Sequence, residues 1–156
     1  MKKRFNLLFL IICFIAAYLT AFLGSIFVSS SVNSAWYQSI KPSLTPPNFV
    51  FPIVWNILFF LIAIAFYFSI RNSRNEKIRN INLIAFSLNL FLNFFWSFLY
   101  FGIKNPGYAF AELFLLWLTI LYLIIINWKN SRISSYLLIP YFLWVSFAGI
   151  LNYLAI

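Results

Sequence analysis

Asparagine, tryptophan and tyrosine residues recur at helical spacing inside long apolar stretches of this chain. One set falls on a single helical stripe, with steps of seven, four, three and four residues: Asn82, Asn89, Asn93, Trp96 and Tyr100. A second set has steps of three, four and four residues: Tyr141, Trp144, Ala148 and Asn152. Polar side chains in hydrocarbon usually face the interior of a helix bundle, where amides hydrogen-bond and aromatic rings stack. Such an interior suits a pocket for an apolar ligand, although each asparagine taken singly is more typical of a helix–helix contact.

The residue types that the chain lacks exclude several kinds of chemistry. There is no histidine, Met1 is the single methionine, and the single cysteine, Cys13, lies within an apolar stretch. A haem iron held by histidine, or by a histidine–methionine pair, is therefore excluded, as are Ser-His-Asp and Cys-His catalytic sites. An intramolecular disulfide cannot form, and no metal site or required cofactor is predicted.

Glu112 is the only acidic residue inside an apolar stretch. A carboxylate at membrane depth is costly unless it is paired, protonated or close to the interface. The sequence leaves two interpretations open for Glu112, a structural hydrogen bond or a contact with a ligand.

The composition predicts an all-α membrane protein that forms a five-transmembrane-helix bundle. The chain has 156 residues, 64% hydrophobic and 8% charged, with a mean hydropathy of +0.94, so too few charges are available for the surface of a soluble domain. We expect one domain over residues 1–156, with transmembrane helices at about 5–28, 50–70, 80–101, 107–127 and 134–153. The first apolar run is longer than the core of a signal peptide, which favours an uncleaved helix.

A proline-rich segment joins the first two predicted helices and begins and ends near tryptophans, Trp36 and Trp55. Its prolines fix the backbone and remove amide donors, so the lid loop that we predict over residues 29–49 should be stiff. A rigid aromatic flap at the mouth of a bundle suits a lid over an apolar ligand. The alternative is an ordinary interfacial loop with aromatic anchors.

The basic residues are distributed unequally between the two ends of the predicted bundle. Nine of them fall at the N-terminus and in the second and fourth connectors, whereas the other end holds only Lys41 and Lys104. The positive-inside rule then predicts a cytoplasmic N-terminus and an extracytoplasmic lid loop. Short basic runs between apolar spans anchor helices to lipid headgroups, so we reject nucleic-acid binding despite the net charge of +9.

Four ordered blocks of residues make the sequence similar to the TspO/MBR family of translocator proteins, tryptophan-rich sensory proteins and peripheral benzodiazepine receptors. The blocks are Trp36-Tyr37 with Lys41-Pro42-Ser43 and Pro46-Pro47; Val54-Trp55; Leu92-Asn93 with Trp96-Ser97; and Pro140-Tyr141 with Trp144, Phe147-Ala148 and Leu151-Asn152. Together they extend over nearly the whole chain from Gly24 to Asn152.

This resemblance implies a multi-pass homodimer in a bacterial cell membrane that acts as a receptor or sensor. The implied ligands are porphyrins, with protoporphyrin IX foremost, and other hydrophobic small molecules. The residues that match the family's ligand pocket under the first loop are Tyr37, Pro47, Trp55, Phe59, Asn93, Trp96, Ser97, Trp144 and Ala148.

Two other functions stay open at the level of sequence. Some relatives are implicated in light- and oxygen-dependent porphyrin degradation, for which the matching catalytic residues would be Trp55 and Trp144. Transport of tetrapyrroles is the other alternative, although the five spans show neither inverted repeats nor central breaks. The chain also departs from the resembled pattern, because Leu44 replaces the aromatic residue that usually precedes the double proline and Phe59 replaces the tyrosine of animal members. No basic residue follows Tyr153, so we do not predict specific sterol binding.

Overall fold

A computed structural model describes residues 6–156 as a bundle of helices. Five of these helices are long and apolar enough to cross a membrane, which confirms the predicted fold class. The helices are α1 Leu7–Ser31, α2 Ala35–Ile40, α3 Val50–Arg71, α4 Glu76–Ser97, α5 Pro106–Asn130 and α6 Arg132–Leu154. A π-helical turn at Phe98–Gly102, called the π turn below, extends α4 to complete its span.

Asparagine caps decide where three of the membrane-spanning helices begin. The side-chain oxygen of each accepts a hydrogen bond from the backbone N–H three residues on, at 2.9–3.0 Å: Asn6 from Phe9, Asn75 from Ile78 and Asn105 from Tyr108. Such caps satisfy amides that the first helical turn leaves without partners, and Pro106 suits the first position because it lacks an N–H.

The helix limits differ from the predicted ones mainly at the ends. Because Asn75 supplies a cap, α4 begins four residues before the predicted start at residue 80. Helix α1 continues to Ser31, and the predicted lid loop 29–49 contains the short helix α2, capped by Ser34. The predicted start of the first helix at residue 5 and the basic residues Lys2, Lys3 and Arg4 lie outside the described residues.

The five long helices form a closed ring in which each packs mainly against two others, in the order α1–α3–α6–α5–α4. Small residues on α1 face inwards, because Cys13, Ala17 and Gly24 are buried. A Cβ atom at Gly24 would lie 3.2 Å from the Ser97 hydroxyl, so glycine there allows α1 to approach α4 closely. Phe66 and Phe86 stack within the hydrophobic core, with their ring centroids 4.6 Å apart.

A buried polar network ties α3, α4 and α5 together at one end of the bundle. The Asn127 amide donates to the Asn82 side-chain oxygen at 3.0 Å, and its own oxygen accepts from the Ser69 hydroxyl at 2.9 Å. Asn130 donates to the same oxygen of Asn127 at 3.2 Å. These bonds satisfy amide and hydroxyl groups that water cannot reach, although the Asn82 amide nitrogen has no partner among residues 6–156.

The same end of the bundle carries most of the positive charge. The guanidinium of Arg74 donates to the Lys129 carbonyl, which joins the α3–α4 connector to the end of α5. Six of the eight basic residues that the structure describes lie at this end, while Lys41 and Lys104 lie at the other. We call these the basic end and the lid end.

Replacement of Asn127 by alanine should destabilise the bundle. Asn82, Ser69 and Asn130 would each lose a partner, which we expect to cost about 1–2 kcal/mol in total. Thermal unfolding can be followed by reaction of a thiol-specific fluorophore with Cys13, which is fully buried and is the only cysteine. Asn80→Ala, at an exposed position on α4, is the matched control. Equal unfolding midpoints for the two variants would show that the network contributes nothing.

Candidate ligand-binding site

A cavity of about 590 Å³ lies at the lid end, between α1, α3, α4 and α6 and below α2 and the loop that follows it. Its wall consists of aromatic, aliphatic, hydroxyl and amide side chains and contains no charged residue. Seven of the nine predicted site residues line it: Tyr37, Trp55, Phe59, Asn93, Trp96, Ser97 and Ala148. The structure therefore brings together residues from the lid and three membrane-spanning helices around one space of the size of a small-molecule site.

The lid is held in place by aromatic contacts with the π turn. The Tyr37 ring lies 5.5 Å from that of Phe101, and the Trp36 ring meets that of Tyr100 edge-to-face at 6.0 Å. Burial raises the pKa of the Tyr37 hydroxyl above its ordinary value, so this hydroxyl stays protonated at neutral pH and can donate a hydrogen bond.

The π turn shapes the side of the cavity beneath the lid. The backbone here is wound more widely than in an α-helix, because the Ile103 N–H donates at 2.8 Å to the carbonyl of Phe98, which lies five residues earlier. This geometry places two successive rings, Tyr100 and Phe101, in the cavity wall. Single π-helical turns of this kind are frequent at functional sites.

Hydrogen bonds across the bundle fix the floor of the cavity. The Asn93 amide donates to the Tyr141 hydroxyl at 3.0 Å, and this hydroxyl donates to the Asn89 side-chain oxygen at 3.3 Å. Asn89 in turn donates to Thr119 at 2.8 Å, so the chain of bonds joins α4, α6 and α5. Trp55 packs edge-to-face on the Tyr141 ring at 6.1 Å.

A second set of hydrogen bonds orients Trp96. Its indole N–H donates to the Asn152 side-chain oxygen at 3.0 Å, and the Asn152 amide donates to the Pro106 carbonyl at 2.8 Å. Because the indole N–H is already occupied, Trp96 offers its ring rather than a hydrogen-bond donor to the cavity. The asparagines on the predicted stripes thus form hydrogen bonds between helices and also position the aromatic side chains of the cavity wall.

Two predicted site residues, Trp144 and Pro47, lie outside the cavity wall. Trp144 packs edge-to-face on Phe51 at 5.8 Å, and Phe51 itself lines the cavity. The Trp144 indole N–H is buried and has no hydrogen-bond partner among residues 6–156. Pro47 is exposed, and its carbonyl accepts from the Val50 N–H at 3.0 Å where the lid joins α3.

The cavity wall also includes residues that were not among the predicted site residues. Tyr100 belongs to the predicted stripe of α4, so its spacing could have included it. Thr45 carries no comparable signal, yet it lines the cavity, and its buried hydroxyl has no partner in the described chain. Asn48 also lines the cavity at its rim and is exposed, so its amide N–H groups are accessible to a ligand.

Glu112 fits neither of the interpretations that the sequence left open. It is buried, with 6% of its surface exposed, but it does not belong to the cavity wall. Neither carboxyl oxygen has a hydrogen-bond partner within residues 6–156. Nowhere within residues 6–156 do three or more Cys, His, Asp or Glu residues cluster so that they could hold a metal ion.

Comparison with known proteins adds an independent line of evidence. The family model described as "TspO/MBR family" matches residues 9–155. The chain is 34% identical over 151 residues to the tryptophan-rich protein TspO of Archaeoglobus fulgidus, covering 95% of each chain. It is 36% identical over 134 residues to the protein of the same name from Bacillus cereus, covering 83% of this chain and 86% of that one. Identity to the human translocator protein is 30% over 142 residues, covering 89% and 83% of the two chains.

Replacement of Ala148 by phenylalanine should close the cavity to ligands. Ala148 lines the cavity, so a ring at this position would extend into it, and an apolar fluorescent probe should bind about tenfold more weakly, equivalent to ~1.4 kcal/mol. Energy transfer from the protein's tryptophans to the probe, measured in lipid nanodiscs, reports occupancy. Ile150→Phe, on the exposed face of the same helix, controls for probe dissolved in the lipid. Equal binding by the two variants would mean that the probe does not enter the cavity.

Proposed function

The chain belongs to the TspO/MBR family, and we propose that it is a membrane receptor or sensor that binds porphyrins in the cavity at the lid end. Protoporphyrin IX is the reference ligand, and other flat hydrophobic molecules belong to the same class. Family membership and the five membrane-spanning helices establish a multi-pass membrane protein related to sensors and translocators. The porphyrin ligand is our proposal.

The observation that carries this proposal is the arrangement of three large aromatic side chains around one uncharged cavity. Trp55 and Phe59 lie with their ring centroids 5.5 Å apart on α3, and Trp96 lines the cavity from α4. Indole and phenyl faces stack on flat conjugated rings, and the apolar wall favours a ligand that leaves water. A metal-free macrocycle needs no axial ligand, which agrees with a chain without histidine.

A cation at the rim supports a ligand that carries carboxylates. The Lys41 ammonium donates to the Asn48 side-chain oxygen at 2.9 Å and lies 5.9 Å from the centroid of the Tyr37 ring. Asn48 and Tyr37 both line the cavity, so Lys41 stands at its mouth although it is not part of the wall. The propionates of a porphyrin could pair with Lys41 at the surface while the macrocycle occupies the uncharged interior.

Porphyrin degradation and transport receive less support than binding. Trp55 lines the cavity and would contact a bound macrocycle, whereas Trp144 is not part of the cavity wall and packs on Phe51, so the two tryptophans are not equivalent. For transport, the cavity wall has no residues from the basic end. The homodimer and the cytoplasmic orientation of the N-terminus stay predictions.

Replacement of Trp55 by alanine should weaken the binding of protoporphyrin IX. The loss of an aromatic face from the cavity wall should raise the dissociation constant about tenfold, equivalent to ~1.4 kcal/mol. Quenching of tryptophan fluorescence in the dark, at increasing protoporphyrin concentration, measures the affinity. Trp128→Ala removes an exposed tryptophan near the basic end and should leave the affinity unchanged. Non-saturable quenching that is identical in all proteins would contradict specific binding.

The role of Lys41 can be separated from that of the aromatic wall by esterifying the ligand. Lys41→Gln should weaken protoporphyrin IX binding about fivefold, in keeping with ~1 kcal/mol for a solvent-accessible ion pair. Binding of the dimethyl ester, which has no carboxylate, should be the same in variant and wild type. Lys104→Gln removes a charge from the same end, where Lys104 lies 5.8 Å from the Trp36 ring centroid, and is the control. An equal loss for acid and ester would assign Lys41 a purely structural role.

A further inference from the structure

A second concave site lies at the basic end, far from the lid. It is a groove of about 440 Å³ between the start of α1, the end of α3 and the start of α4. The residues that line this basic groove are Asn6, Phe9, Tyr67, Ile70, Arg71, Arg79 and Leu83. None of them belongs to the wall of the cavity at the lid end, so the basic groove is a separate site.

The floor of the basic groove is apolar and well packed. The Phe9 ring lies 6.1 Å from both the Phe66 and the Tyr67 rings, and its contact with Phe66 is edge-to-face. The Tyr67 hydroxyl accepts a hydrogen bond from the Asn6 backbone N–H at 3.1 Å, which anchors the beginning of α1 to α3. These contacts hold the Phe9 and Tyr67 rings in fixed positions and give the groove an apolar floor.

Two arginines line the same groove as this floor. The Arg71 guanidinium lies 5.9 Å from the centroid of the Tyr67 ring, so the aromatic floor holds it beside the groove. Arg79 is paired with Glu76 at 3.1 Å, but both side chains are exposed, at 49% and 83%, and such a pair is weak in water. Because this pair is exposed and weak, Arg79 can exchange its partner for an anionic ligand that lies in the groove.

The position of the groove indicates what kind of anion it meets. Arg71 ends the apolar helix α3 and Arg79 lies in the first turns of α4, just before its apolar part, so both lie where a membrane-spanning helix leaves hydrocarbon. Guanidinium groups bind phosphate oxygens through paired hydrogen bonds, and basic pockets between membrane helices are typical binding sites for phospholipid headgroups. A soluble phosphate would leave the apolar floor without a partner.

We propose that the basic groove binds an anionic phospholipid, with its phosphate between Arg71 and Arg79 and an acyl chain on the floor formed by Phe9 and Leu83. The ligand is amphiphilic, as the groove is. Its binding does not depend on the ligand proposed for the lid end, and failure of either proposal would leave the other intact.

The test compares lipids retained by the intact protein with matched acyl chains and different headgroups. Native mass spectrometry of protein from nanodiscs containing equal amounts of phosphatidylglycerol and phosphatidylcholine counts the lipids that stay bound. We expect about tenfold preferential retention of phosphatidylglycerol by wild type and no preference in Arg71→Gln/Arg79→Gln. Lys77→Gln/Arg132→Gln removes the same charge from exposed positions of the same end outside the groove, and should keep the preference.

Further variants and competitors keep the proposal open to refutation. Leu83→Trp should fill the groove and displace the lipid although both arginines remain. The double variant Arg71→Lys/Arg79→Lys keeps the charge but loses the paired guanidinium donors, so it should retain only part of the preference. Reaction of Cys13 on heating identifies any variant that fails to fold. Competition by millimolar inorganic phosphate as effective as that by lipid would indicate a site for free phosphate. An equal loss of preference in both glutamine pairs would indicate a nonspecific effect of charge, and either result would overturn the proposal.

Discussion

Polar side chains that lie at membrane depth must find partners inside the bundle, and this constraint determines how the helices fit together. Within hydrocarbon there is no water to satisfy an amide or a hydroxyl, so a side chain that hydrogen-bonds across the bundle also specifies which helix lies beside it. Asn93, Tyr141 and Asn89 bond in sequence from α4 to α6 and back. Trp96 and Asn152 repeat the pattern nearer the lid. Because these groups already have partners in the protein, an apolar ligand can fill the adjoining cavity without leaving them unsatisfied.

The lid depends on this framework, because its own helix is too short to be stable alone. Helix α2 has six residues, whereas isolated helices of fewer than about 12 residues are marginal in water. Its place is decided by Tyr37 and Trp36 against the rings of the π turn, and by the hydrogen bond from the Ser31 hydroxyl to the Phe101 carbonyl at 2.9 Å. The prolines that follow α2 restrict the backbone conformations open to the loop. The π turn, which extends α4, supplies the surface against which the lid packs.

The sequence predicted those features that follow from helical period and hydrophobicity alone. The five spans and the polar stripe of α4 are of this kind, since hydrocarbon and the 3.6-residue turn leave few alternatives. Features that depend on packing between elements were not accessible. Trp144 shares a helical stripe with Ala148, but its ring packs on Phe51 of the neighbouring helix and is not part of the cavity wall. The π turn adds Phe101 to the wall beside Tyr100, and Thr45 lies there because the lid folds over.

The two ends of the bundle differ in where their basic residues lie relative to the concave site. At the lid end the cavity wall is uncharged and Lys41 stands outside it, an arrangement that suits the proposed ligand, whose acid groups would pair at the surface. At the basic end Arg71 and Arg79 line the groove itself, so the proposed site recognises the charged headgroup of its ligand as well as the acyl chain. The stacked pair Phe66 and Phe86 lies between the helices as part of the close-packed core. The helix ring that positions the aromatic cavity thus also leaves its basic end ready to bind an anionic headgroup.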